Sequence, residues 1–158
     1  MIRKKILMLG DFAVGKTSLV RHYIDNTFDD VYLTTIGVKV SKKMLAVNHV
    51  ELELLIWDIE GETPTKKIPK AYFKGASGAI IVCDASRKET IEGIREHIGD
   101  LLAFNREAKY VIAYNKSDLL SAQQKETLSL SENTFLTSAK DGSQIDILFT
   151  TLAKEILL

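Results

Sequence analysis

A chain of 158 residues, 46% hydrophobic and 27% charged, is of a size to fold as one domain with a full core. Its 21 basic side chains match its 21 acidic ones, so no charge excess favours nucleic acid or an anionic membrane as the main partner. Cys83 is the only cysteine, which excludes an intrachain disulfide; within its apolar run it reads as a buried free thiol.

In chain order, the basic start Met1 to Lys5 leads into an apolar run too short for a signal peptide or a membrane span. A strand is expected over Lys4 to Leu9, then a glycine turn, then a helix from about Gly15 to Asp25 with Leu19, Val20, Tyr23 and Ile24 on one face. A polar, flexible-looking piece, Asn26 to Gly37, follows. Val38 to Val47 and Val50 to Trp57 read as strands, and the two-residue link Asn48-His49 requires an antiparallel hairpin. Asp58 to Gly75 reads as loop plus a weak helix interrupted by Pro64 and Pro69.

Ala79 to Cys83 and Tyr110 to Tyr114 are continuous apolar runs, as in strands buried on both faces. Between them Ile91, Ile94, Ile98, Leu101 and Leu102 form a helical stripe. A short helix is expected over Ala122 to Leu128 and a brief strand at Phe135-Leu136. Ile145, Leu148, Leu152 and Ile156 stripe a terminal helix. Strands alternating with helices predict an α/β fold, its mostly parallel sheet covered on both faces. Ligands of such sheets sit at the carboxyl ends of the strands.

The motifs fall at those ends. Gly10-Asp11-Phe12-Ala13-Val14-Gly15-Lys16-Thr17-Ser18 has the spacing of a phosphate-binding loop, glycines at both ends allowing backbone N–H groups to wrap a phosphate. Lys16 supplies a cation for the β- and γ-phosphates, and the Thr17 hydroxyl a ligand for Mg²⁺. Asp58 ends a strand, where it would support the metal through water, and the Gly61 N–H would reach a γ-phosphate. Thr35 would complete the Mg²⁺ shell when the γ-phosphate is present. In Asn115-Lys116-Ser117-Asp118, the Asp118 carboxylate suits the paired N1–H and amino donors of guanine and repels adenine. Ser138-Ala139-Lys140 would add a backbone N–H for the guanine O6 and an aliphatic stem under the ring.

Together these residues resemble the Ras superfamily of small GTPases, and its Rab branch most closely. The resemblance runs the whole chain, through Gly10-x-x-x-x-Gly15-Lys16-Thr17, Thr35-Ile36-Gly37, Trp57-Asp58-x-x-Gly61, Asn115-Lys116-x-Asp118 and Ser138-Ala139-Lys140. It implies a single domain over residues 1–158. The implied fold is the three-layer P-loop G domain, a six-stranded, mostly parallel sheet with one antiparallel edge strand. It implies Phe28 packed edge-on to guanine, GTP or GDP with Mg²⁺ as ligands, and a switch in which GTP orders the segments around Thr35 and Gly61. Protein effectors would read that switch on a face holding Val40, Trp57 and Tyr72. A monomer without direct membrane insertion is implied, and a cytoplasmic location agrees with a C-terminus lacking a prenylation motif.

Three features depart from the family pattern. Glu62 stands where a glutamine usually orients the attacking water, preceded by Glu60 in place of a small residue. A carboxylate there can accept the water's proton, but it adds negative charge beside the γ-phosphate, which should raise its own pKa. Phe12 and Ala13 occupy loop positions that are usually small, and the Phe12 ring would crowd an activator's arginine finger. Rab proteins carry a tail with prenylated cysteines and this sequence stops at its last helix, so either it is a piece of a longer chain or no lipid-driven membrane cycle is expected. A slow GTPase switch is expected, its reaction carried by Lys16, Thr35, Gly61 and Glu62. The alternative is a GTP-binding scaffold with negligible hydrolysis; a small P-loop kinase would need an arginine-rich lid, which is not visible. His22, His49 and His97 read as solvated surface, and the charged stretch Arg87 to His97 as a solvated helix face.

Overall fold

The computed structural model describes residues 1–24, 32–33, 38–59, 68–128 and 130–158, with backbone only at 32–33. Phe28, Thr35, Gly61, Glu62 and most of the Asn26–Gly37 segment lie outside the described residues.

β1 (Ile2–Gly10) is central to a sheet ordered β2-β3-β4-β1-β5-β6-β7. β4 (Val50–Ile59), β5 (Ala76–Asp84), β6 (Lys109–Asn115) and β7 (Thr134–Leu136) run parallel to it or to one another. β3 (Val38–Val47) is antiparallel to β4, as the short link demands. The turn residues Asn48 and His49 both take positive φ, 51° and 66°, the geometry that lets a two-residue link follow the strand twist. Beyond the six strands expected, β2 (Tyr32–Leu33) adds two residues paired to the outer side of β3.

Alternation along the central strands splits the core into two layers. Ile6, Met8, Ile80 and Val82 face α1 (Lys16–Ile24) and α5 (Ile145–Leu157), packing with Leu19, Tyr23, Leu148, Phe149 and Leu152. Leu7, Leu9, Ile81 and Cys83 face the other way, toward Phe73, Ile94 and Leu101. On that side the expected single stripe is two helices, α2 (Lys88–Glu92) and α3 (Ile94–Phe104), joined at Gly93. Pro69 immediately precedes a 3₁₀ turn at Lys70–Phe73, all that forms of the weak helix among the described residues. α4 (Ala122–Thr127) starts on a reciprocal capping box between Ser121 and Gln124. No helix among the described residues is long and apolar enough to cross a membrane.

Cys83 is buried, as expected, and burial together with the nearby Asp84 and Asp11 carboxylates pushes its thiol up to about 12. Tyr23, stacked on Phe149 with ring centroids 3.9 Å apart, is also pushed up to about 12, by burial and then by Asp146. The folded state therefore holds both groups neutral above their ordinary values of 9.0 and 10.0. That contribution is fully present below those values and is lost as pH rises toward about 12, because the unfolded chain ionises first. Urea titrations should show stability declining above about pH 9. Cys83 should resist a thiol reagent until the chain unfolds; native-state labelling at the rate of a free thiol would contradict this.

Candidate functional site

Because β1, β4, β5 and β6 are parallel, their carboxyl ends open along one edge, and the register brings Met8 beside Asp58, Gly10 beside Val82 and Asp84 beside Asn115. The loop Asp11–Gly15 turns there from β1 into α1. A Cβ on Gly10 would come 2.3 Å from the Val82 carbonyl oxygen, and one on Gly15, where φ is +99°, 2.3 Å from Asn115 Nδ2. Only glycine fits the turn at these two places.

Three consecutive carbonyls of the loop are held from outside. Arg87 Nη1 donates to Phe12 O at 3.1 Å, Lys116 Nζ to Ala13 O at 2.9 Å and Asn115 Nδ2 to Val14 O at 2.9 Å. In a planar trans peptide the next N–H points opposite to the carbonyl. Fixing these three oxygens outward therefore turns the N–H groups of Ala13, Val14 and Gly15 to the other side. Successive amides aimed alike form an anion-binding concavity. Lys16 is buried at the base of the loop, its Nζ donating to Gly10 O at 2.8 Å. Ser18 lies exposed in the first turn of α1.

Beside the loop, Thr17 Oγ1 donates to Asp58 Oδ2 at 2.7 Å, and Asp58 is only 2% exposed at the end of β4. A hydroxyl and a carboxylate next to an amide-lined anion site make a hard-oxygen donor set, the chemistry that suits Mg²⁺. On the far side of the loop, Ser138 is buried and its hydroxyl is used fully. It donates to Asp118 Oδ1 at 2.7 Å and accepts from the N–H groups of Lys140 and Asp141, both at 3.2 Å. Asp118 itself is exposed, and Lys116 reaches its place through a left-handed turn, φ 61°. Ala139 packs against the core while the Lys140 side chain is exposed.

Asn115 joins these parts, bonding Val14 O with its amide and accepting from Thr137 Oγ1 at 3.2 Å. The residues from Asp11 to Ser18, Asp58, Asn115 to Asp118 and Ser138 to Lys140 thus gather at one end of the sheet. Val40 and Trp57 are cross-strand neighbours, and the Trp57 ring lies 6.3 Å from that of Tyr72. Lys5 sits 3.7 Å over Trp57 and donates to the Lys74 carbonyl; burial lowers its pKa.

Sequence reasoning missed three side chains. Asp84 is buried at the end of β5, 3.1 Å from Lys116 Nζ. Burial pushes its carboxyl upward, but hydrogen bonds from Ser86 and the Lys116 ammonium outweigh that and hold it below the usual range. Arg87 belongs to the loop contact above. His97 is not solvated surface: it is 8% exposed and its Nε2 lies 2.8 Å from Asp11 Oδ1. The signal was present, since Ile94, His97 and Leu101 share one helical face, but a histidine there reads as solvated until a partner is seen. The stretch from Arg87 to His97 is correspondingly not a purely solvated face. His22 and His49 are exposed, as expected.

A phosphate-type loop leading from the central strand, with polar loops at its neighbours' ends, defines the fold of a P-loop GTPase domain. Comparison with known proteins agrees. The sequence matches the Ras family over residues 5–158. It is 32% identical to Ras-related protein Rab-1A of Dictyostelium discoideum, over 96% of this chain and 79% of that protein. It is 33% identical to Ras-related protein SEC4 of Saccharomyces cerevisiae, over 96% of this chain and 74% of the relative. Ras-related protein RABA5a of Arabidopsis thaliana is 32% identical, over 96% and 72%. The chain belongs to the Ras family and is a Rab-like small GTPase.

Proposed function

We propose that this chain is a guanine-nucleotide switch that hydrolyses GTP slowly and presents a GTP-dependent face to protein partners. The observation that supports the reading is the Asn115 bridge, which ties Val14 of the glycine loop to Thr137 beside Ser138, so that a phosphate held by the one and a base held by the other would keep one spacing. In this reading the loop from Asp11 to Ser18 binds the phosphates through backbone N–H groups and the Lys16 ammonium. Asp118 accepts from guanine, held at its angle by Ser138; Asn115, Lys116, Ala139, Lys140 and Phe28 complete the base site.

Thr17 and Thr35 hold Mg²⁺, with Asp58 orienting Thr17; the ion, when bound, neutralises phosphate charge. Gly61 senses the γ-phosphate and Glu62 acts on the attacking water, the roles that the family pattern implies for these two positions. Val40, Trp57 and Tyr72 form the partner-reading face, with Val40 and Trp57 half-buried and Tyr72 buried against the small core of Val38 and Ile59 beneath them.

Phe12, a residue 60% exposed at the loop, and Glu62, both departures from the family pattern, favour a second reading, a GTP-binding module with negligible turnover. The nucleotide that co-purifies should be GDP or GTP, and phosphate release followed over hours under single-turnover conditions separates the two readings. Calorimetry showing no heat on adding GDP or GTP to stripped protein would sink both.

A further inference from the structure

Asp11 and Phe12, the outer half of the phosphate loop, are gripped by a segment from a different part of the chain. Asp11 Oδ1 bonds the buried His97 at 2.8 Å, and a Cβ on Gly93 would sit 3.1 Å from Asp11 Oδ2, so the carboxyl is packed into the α2–α3 junction. One residue on, the Phe12 carbonyl takes the Arg87 guanidinium at 3.1 Å. Arg87 is anchored in turn. The Thr90 hydroxyl lies 2.8 Å from Arg87 O and accepts from the Asp84 N–H at 2.9 Å, pinning the start of α2 to the end of β5. The rigid sheet end, the turn at Arg87 and the first half of α3 therefore form one continuous support against the loop.

We propose that His97 and Arg87 are positioning residues for nucleotide binding, latching Asp11 and Phe12 so that the α2–α3 segment governs how fast nucleotide leaves. The inference rests on the guanine-nucleotide reading above. Its physical basis is peptide geometry: holding the Phe12 oxygen outward aims the Ala13 N–H inward, and holding the Asp11 side chain fixes the residue that precedes it. Both act through the loop, Arg87 on the Phe12 carbonyl and His97 on the Asp11 carboxyl. Lys116 and Asn115 hold the inner carbonyls of Ala13 and Val14, so the latch completes the outer half of the same cradle.

The test is the release rate of a fluorescent GDP analogue from the full chain. His97→Phe keeps an aromatic ring but removes the donor, and Arg87→Met keeps the stem but removes the guanidinium. Each should speed release about tenfold, the effect of losing a hydrogen bond that involves a charged group. His97→Gln, whose amide can donate to Asp11, should restore most of the lost retention. Asp11→Ala and His97→Phe combined should be no faster than the faster single variant, because both break one contact.

A readout independent of nucleotide turnover is the ¹⁵N resonance of the His97 Nε2, which should move in Asp11→Ala. Should His97→Phe prove unstable, the Asp11→Ala protein, which loses the acceptor at a half-exposed side chain, carries the test. Unchanged release in variants that still bind nucleotide, with only the melting temperature shifted, would overturn the latch alone. Failure of the unmodified chain to bind GDP or GTP would overturn the nucleotide reading, and the latch with it.

Discussion

Phe12→Gly combined with Glu62→Gln should make GTP hydrolysis by this chain respond to a Rab-activating domain, with an acceleration of about 10³ to 10⁵. The unmodified chain should show little response. The reasoning starts from space. The Phe12 ring is 60% exposed at the loop, and its own carbonyl is tethered to Arg87, so the backbone cannot swing to carry the ring aside. An arginine finger must bring its planar guanidinium against the γ-phosphate across that same loop. A phenyl group standing there competes for the volume, and removing it costs the loop no described hydrogen bond, since Arg87 bonds a backbone oxygen.

The second substitution supplies the amide that orients water by donating and accepting at once, which a carboxylate cannot do. Single-turnover phosphate release with and without the activating domain measures both effects. If the unmodified chain is already accelerated by orders of magnitude, steric exclusion by Phe12 is wrong.

Asp118→Asn should lower the affinity for GDP by about 10² to 10⁴ and admit xanthine nucleotides in exchange, two charge-assisted hydrogen bonds being lost. The geometry makes this a clean substitution. Ser138 Oγ donates to Asp118 Oδ1, and the asparagine oxygen can accept the same bond, so the loop stays in place. The other carboxylate oxygen becomes an NH₂ group, which opposes the N1–H and amino donors of guanine and matches the second carbonyl of xanthine. Competition between GDP and XDP on the refolded variant reads the exchange directly. Undiminished GDP preference in a folded Asp118→Asn protein would remove Asp118 from the base site.

Much of the fold could be read from the chain because its signals are local. The apolar runs of β1, β5 and β6 had to be strands covered on both faces, and Asn48-His49 was too short a link for anything but a hairpin. Motif residues stood at the ends of those runs, so a parallel sheet necessarily brought their loops to one edge. The division of the Ile91–Leu102 stripe into two helices was less apparent, because glycine is tolerated inside many helices. Here Gly93 is the residue that leaves room for the Asp11 carboxyl.

What the amino-acid order determined by itself was the alternation of elements, the glycine-bounded loop motif after β1 and the family. The tertiary structure alone decided the contacts that shape the loop. His97 meets Asp11 across 86 positions, Arg87 meets Phe12 across 75, and Asn115 meets Val14 across 101. Periodicity places a polar side chain on a helix face; whether it is buried depends on a partner from elsewhere arriving to satisfy it. That partner is brought by the order of strands in the sheet, which sets β1 beside β5 and the loop after β1 against the helices after β5.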